Sequence, residues 1–163
     1  MGGGQEFGLR SGTENIPAIV GFAKAVEIAI GLREPMGKNI AELHGELWRG
    51  IKKICPKAEI NGMPLGRSPK GAQSLSLPNI LNVYFPGRHA QDLLTKFDLL
   101  GLAASSGSAC RARASIASYV IEAIGHSKDR ARSSIRFSLG RPTTKKEIAR
   151  ALEIIKKAAA SVG

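Results

Sequence analysis

Three side chains in this sequence have a type and a setting suited to chemistry: Cys110, Arg136 and Thr13. Cys110 follows a run of small residues at 105–109, Ser-Ser-Gly-Ser-Ala, and is itself followed by Arg111 and Arg113. Small residues cannot anchor a loop by packing. Nearby cations favour thiolate over thiol, and the thiolate is the nucleophile. The setting suits an attacking or sulfur-carrying cysteine. From composition alone, an ordinary small residue in a tight turn carries the greater weight, because free cysteines are commonly buried. Arg136 lies among small and apolar residues with strand alternation. It needs an anion, since burying an unpaired charge is costly. The partner is either a structural carboxylate or a substrate carboxylate gripped by two parallel hydrogen bonds, and the residues alone lean slightly towards the first. Thr13, beside Gly12 and ahead of a helix, can bind an anion such as phosphate. Its spacing favours helix capping instead.

Other candidates read as structural or solvated. Cys55 sits at a helix end between Ile54 and Pro56 and reads as a packing residue. Arg141 lies in a turn. Two cysteines make neither a disulfide framework nor a Cys-rich zinc site, and His44, His89 and His126 show no metal-ligand spacing with them. No metal is expected, and reduced thiols in a cytoplasmic setting are the simplest reading. No apolar run approaches the roughly 18 residues of a membrane span, and the first residues lack the basic start and apolar stretch of a signal peptide. The formal net charge is +11. Its lysines and arginines are scattered, with no interleaved aromatics to stack bases. That argues against a nucleic-acid partner and for solvated helix faces, with a docking patch for an acidic protein as a further use of the charge.

The elements that must position these residues follow from periodicity. Of the 163 residues, 43% are hydrophobic and only 5% aromatic, so one domain with an aliphatic core is expected over 1–163. A helix is predicted over 15–34, capped by Thr13 or Asn15, with Ile16, Ile19, Val20, Ala23, Val26 and Ile30 on one face. A second runs over 36–54 with the stripe Met36, Ile40, Leu43, Leu47, Ile51 and Ile54, and Pro56 stops it. Asn61-Gly62 marks a turn, and 62–71 is the only linker-like stretch. Residues 80–85 and 134–139 alternate as strands, 102–104 suit a short strand, and 90–100 and 118–125 suit helices closed by Gly101 and Gly125. Thr144 to Glu147 has capping-box spacing and starts a last helix carrying Ile148, Leu152, Ile155 and Ala159. The order argues for an α+β layer, with helices on one face of a small sheet.

Three segments together resemble a known family. Residues 2–15, GGGQEFGLRSGTEN, resemble a signature of the cysteine desulfurases and selenocysteine lyases; 105–110, SSGSAC, resemble their active-site loop; 133–141, SSIRFSLGR, with Thr143 and Thr144, resemble their C-terminal signature. Leu77-Pro78-Asn79 and Asn82 also fit, and the matches occur in the family's order. The resemblance implies a fold-type I pyridoxal-phosphate (PLP) enzyme, class V aminotransferase-like. Such an enzyme converts L-cysteine to L-alanine, leaves the sulfur as a persulfide and hands it to an acceptor protein. It implies that Cys110 takes the sulfur and that Arg136 holds the substrate carboxylate. Thr13 is then the threonine that reaches the cofactor phosphate of the other subunit in a dimer. It reverses the plainer reading of Cys110. The implied fold is the family's small C-terminal domain, a short, mostly antiparallel sheet with helices packed on it. The family's Ser-x-His-Lys motif, which binds PLP, is absent, as none of the three histidines is followed by lysine. The chain thus resembles a C-terminal portion, with the cofactor domain to be supplied separately, and part of the first helix's apolar surface is expected to be exposed without it. Arg111 and Arg113, and Ala117 at a position where the family has proline, depart from the pattern. Two further readings stand beside this one: a non-enzymatic persulfide carrier that keeps the cysteine loop, and a basic nucleic-acid-binding module.

Overall fold

The computed structural model describes residues 3–63, 76–107 and 118–160. The chain forms two compact units, Met1–Met36 and Gly37–Gly163. The first holds a 3-10 turn at Gln5–Gly8 and the beginning of helix α1, which spans Ile16–Ile54. The opening, expected to lack regular structure, thus contains one tight turn, with left-handed φ at Glu6 (53°) and Phe7 (58°). Asn15 caps α1: its Oδ1 accepts the Ala18 N–H at 3.2 Å. Pro17 sits in the first turn, where a missing N–H breaks no bond. Within this unit Ile16, Ile19, Val20, Phe22, Ile28 and Ile30 are exposed, so the expected uncovered apolar surface is present.

The reading of two helices is corrected to one, because Pro35 lies inside α1. Proline removes one hydrogen bond and crowds the carbonyl four residues back, a penalty of about 3 kcal/mol. That penalty falls once in a helix of 39 residues, and the ladder continues on both sides.

The second unit is built on a three-stranded antiparallel sheet in the order β1-β2-β3: β1 Glu59–Ile60, β2 Ile80–Tyr84 and β3 Ser134–Ser138. Alternation gives the sheet two unlike faces. Leu81, Val83, Ile135 and Phe137 are buried, while Asn82, Tyr84, Arg136 and Ser138 are not. The buried set joins Ile40, Leu43, Leu47 and Ile51 of α1, Leu93 and Phe97 of α2 (Ala90–Leu99), and Ile148, Ile154 and Ile155 of α5 (Lys145–Ala160) in one core. Phe97 and Phe137 pack ring to ring at 6.2 Å. Gly50 lets α1 approach α5, since a Cβ there would meet the Leu152 methyls at 2.4 Å.

Helix α3, Tyr119–Ala123, and α4, Lys128–Arg132, lead into β3. The α5 start is as its sequence implies: the Glu147 N–H donates to Thr144 Oγ1 at 3.2 Å, and the Thr144 N–H donates to Glu147 Oε2 at 2.7 Å. The Thr144 hydroxyl also donates to Glu147 Oε2, at 2.9 Å, and this bond together with that from the Thr144 N–H holds the Glu147 carboxyl below its ordinary range. Two short elements, β1 and α4, have no counterpart in the sequence reading. The strand expected at 102–104 is absent; only Ser105, one residue on, makes an isolated bridge to Arg136. Most of the linker-like stretch, from 64 onward, lies outside the described residues. Among the described residues no helix is long and apolar enough to cross a membrane.

Candidate active site

The polar face of the sheet carries one of the candidate site residues, Arg136. Register places Arg136 opposite Asn82, and Ser134 opposite Tyr84, so these side chains share the face away from the core. Arg136 is half-buried, and its Nε is buried with no hydrogen-bond partner. Among the described residues no carboxylate forms an ion pair with it. Of the two partners the sequence left open, the structural carboxylate is therefore not found here. A buried, unpaired guanidinium N–H is expensive to keep, and a planar carboxylate is the ligand that its fork geometry fits.

Arg136 is also tied to the segment that leads to Cys110. Its N–H donates to the Ser105 carbonyl at 2.6 Å, and the Ser105 N–H donates to its carbonyl at 3.1 Å. Cys110, Arg111, Arg113 and Ala117 lie outside the described residues.

Thr13 belongs to the first unit. Asn15, and not Thr13, makes the cap bond, so capping does not occupy the threonine. Its side chain is exposed, without a hydrogen-bond partner among the described residues. Gly12 beside it has φ +114° and open space around it. A free hydroxyl on an open glycine-flanked backbone fits a phosphate oxygen.

The remaining candidates behave as packing or surface groups. Cys55 is half-buried, and burial pushes its thiol up against the opposing pull of Arg88. A raised thiol is a poor nucleophile. Arg141 is exposed. His44, not singled out by sequence, is buried, and its Nδ1 lies 2.9 Å from the Pro78 carbonyl. Burial lowers its pKa, and the Pro78 bond opposes that shift.

Sequence reasoning missed Arg130. Its Nε donates to Asn61 Oδ1 at 2.6 Å, Nη1 to Glu59 Oε2 at 2.5 Å and Nη2 to the Ile60 carbonyl at 3.2 Å, and its guanidinium stacks 4.8 Å from the Tyr84 ring. Asn61 Nδ2 in turn donates to Asn82 Oδ1 at 2.8 Å and to Ser134 Oγ at 2.7 Å, and Ser134 Oγ donates to the Arg130 carbonyl at 2.6 Å. One arginine thus locks β1 to β2 and to the start of β3, two residues before Arg136. In sequence it sits in the charged run 128–132, which reads as a solvated face. The only local signal was Ser127, whose Oγ accepts the Arg130 N–H at 3.2 Å to cap α4.

A short antiparallel sheet with an apolar face under helices and a polar face bearing an arginine whose Nε has no partner defines a small α+β module. Known proteins resemble this chain. Residues 4–151 match the aminotransferase class-V family, and the chain belongs to that family. It is 38% identical over 156 residues to the cysteine desulfurase IscS of Clostridium botulinum (strain Hall), covering 96% of this chain and 38% of the relative. It is 43% identical over 159 residues to that of Salmonella schwarzengrund, covering 96% and 36%. A solved NifS-like protein from Rickettsia africae superimposes with a TM-score of 0.74 at 31% identity, covering 98% of this chain and 39% of its own. Another NifS-like structure reaches 0.76 at 33% identity, covering 98% and 38%. The chain thus spans under two fifths of the length of these relatives.

Proposed function

We propose that this chain is the sulfur-accepting, C-terminal portion of a PLP-dependent cysteine desulfurase, its fold that enzyme's small domain. The observation that carries the reading is the buried, unpartnered Nε of Arg136 on the polar sheet face. Support comes also from relatives that carry the desulfurase name across 96% of this chain.

Arg136 takes the carboxylate of L-cysteine through charge-assisted hydrogen bonds and so fixes where the substrate sulfur is presented. Thr13 donates its hydroxyl to a phosphate oxygen of PLP. The rest of the cofactor's contacts, including its lysine, come from a portion outside this sequence. PLP, when bound, supplies an electron sink for the bonds around the substrate's α-carbon.

The Cys110 thiolate attacks the substrate sulfur. A new S–S bond forms and the C–S bond breaks. The electron pair of the C–S bond stays on carbon, which takes a proton and becomes the methyl group of alanine. The enzyme keeps the sulfur as a Cys110 persulfide, and an acceptor thiol removes it by exchange. The working enzyme is a cytoplasmic homodimer, and its partners are L-cysteine and a sulfur-acceptor protein.

The test assembles this chain with the PLP-binding portion of a relative and measures alanine and persulfide. Alanine is expected in the assembled sample and not from the chain alone. Cys110→Ser should abolish persulfide formation and leave the bound-PLP absorbance unchanged. Loss of PLP binding in that variant would overturn the role given to Cys110.

A further inference from the structure

We propose that Asn82 is a second hydrogen-bond donor for the carboxylate that Arg136 takes, so that the two residues form one anion site across β2 and β3. That the carboxylate is the substrate's rests on the desulfurase reading above; that the two side chains serve one anion rests on geometry.

Asn61, Asn82 and Arg136 stand in one row across the sheet. Asn82 pairs with Arg136 in the β2–β3 register, and on its other side its carbonyl accepts the Asn61 N–H at 2.9 Å. The backbone N–H and carbonyl of Arg136 are both taken by Ser105, at 2.6 and 3.1 Å, so they point away from β2. Asn82 and Arg136 are therefore a non-hydrogen-bonded pair. In such pairs the Cα atoms lie about 4.5 Å apart and the side chains come closest. Both side chains rise from the polar face of the sheet.

A chain of donors fixes the orientation of the Asn82 amide. A guanidinium can only donate, so the Asn61 atom 2.6 Å from Arg130 Nε is the oxygen. Asn61 then presents its Nδ2 to Asn82, at 2.8 Å, and to Ser134 Oγ, at 2.7 Å. An amide nitrogen needs an acceptor, so the Asn82 atom facing Asn61 is Oδ1. The other arm of that planar amide, Nδ2, is turned away from Asn61 with two N–H groups, and among the described residues it makes no hydrogen bond. Its cross-strand neighbour Arg136 has a buried Nε without a partner, and no carboxylate pairs with that arginine among the described residues. Unmet donors beside a positive charge repel one another, and an anion that accepts from both removes the repulsion. A carboxylate has two oxygens and about four acceptor positions, enough to take the guanidinium and the amide together.

The experiment has two readouts: urea unfolding of the chain alone, and alanine kinetics of the chain assembled with the PLP-binding portion of a relative. Asn82→Asp keeps an oxygen for Asn61 and replaces the free donors by a carboxylate opposite Arg136. In the chain alone it should raise the urea midpoint by about 0.5 M, and the rise should vanish when Arg136→Met is also present. In the assembled enzyme the same variant fills the anion site from within, and KM for L-cysteine should rise at least about 100-fold. Asn82→Ala removes the donor and adds no charge, while Asn61 keeps Ser134 Oγ as its acceptor. It should raise KM about 10- to 150-fold, with kcat within about threefold. The proposal is overturned if Asn82→Asp shifts the midpoint equally with and without Arg136, or if Asn82→Ala leaves KM within about twofold while Arg136→Met raises it. An assembly that makes no alanine, or an Arg136→Met variant with unchanged KM, counts against the desulfurase reading alone, and the midpoint contrast then decides by itself whether Asn82 and Arg136 form an anion site.

Discussion

Arg136→Met should move stability and substrate binding in opposite directions. In the native chain Arg136 Nε is buried with no partner. Leaving a buried donor unmet costs about 1–3 kcal/mol. Methionine is unbranched, adapts to irregular space and carries no donor. The substitution therefore removes a standing penalty, and replacing a buried charge by a packed apolar chain is commonly neutral or stabilising. The expected change in unfolding free energy is about zero to +2 kcal/mol in favour of the variant. Binding goes the other way. Truncating one partner of a buried, hydrogen-bonded charge pair costs about 2–5 kcal/mol, which is roughly a 30- to 4,000-fold rise in KM for L-cysteine. The assays are urea unfolding of the chain followed by circular dichroism, and alanine kinetics of the assembled enzyme. A variant destabilised by more than about 1 kcal/mol would mean that Arg136 holds the fold together. An unchanged KM would mean that no amino-acid carboxylate is bound there, and a persulfide carrier fed by another protein becomes the better account.

Two further outcomes are expected. Arg130→Met leaves the buried Asn61 Oδ1 without its donor, at about 1–3 kcal/mol, and removes an ion pair to the largely exposed Glu59 that adds about 0–1 kcal/mol. Urea unfolding should show a loss of roughly 1–4 kcal/mol, and a loss under about 0.5 kcal/mol would remove Arg130 as the lock of the sheet edge. Burial lowers the His44 pKa in the fold, with the Pro78 carbonyl opposing, so the unfolded chain takes up that proton first. This contribution should be full above the ordinary imidazole value of about 6.5, be lost as pH falls below it, and level off once folded His44 is protonated too. Urea midpoints measured across this range should show the fall in the parent and a flatter profile in His44→Gln, and an equal slope in both would refute the assignment.

What the sequence revealed divides along one physical line. Strong periodicity names long elements: the α1 stripe, the alternation of 80–85 and 134–139, and the capping box at Thr144 all appear in the structure close to where they are read. Elements held by tertiary contacts leave no such mark. Strand β1 has two residues and exists because Arg130 and Asn61 fasten it to the sheet. Asn61 follows the strand directly but reads only as a turn residue, and Arg130 lies 71 positions from Glu59, beyond any spacing that a local reading can use. Pro35 shows the converse failure, in which a strong local breaker is overridden by a long helix. The same holds for the site. Arg136 is legible as an arginine in an apolar strand, but that its Nε lacks a partner is a fact of the folded neighbourhood. Ser105 is legible only as one small residue among several. Its bridge to Arg136 spans a separation that no spacing rule covers.

On the proposed reading Arg136 binds a carboxylate, and the two faces of the sheet explain why it sits where it does. A guanidinium that must grip a ligand has to be held still, yet cannot spend its donors on the protein. Here the opposite face supplies the rigidity: Leu81, Val83, Ile135 and Phe137 are each at most 4% exposed and fix the backbone on both sides of Arg136. Arg130 fixes the sheet edge with its own donors, while the Nε of Arg136 is left without a partner. Each strand residue has only two ways to point, so the core-facing neighbours at 135 and 137 force 136 onto the polar face. A one-residue slip of β3 would bury the charge in the core and expose two large apolar side chains, an error that the register excludes. On the proposed reading, the unmet donor on this face and the exposed apolar residues of the first unit are each unfavourable in isolation and are satisfied by a substrate or by packing.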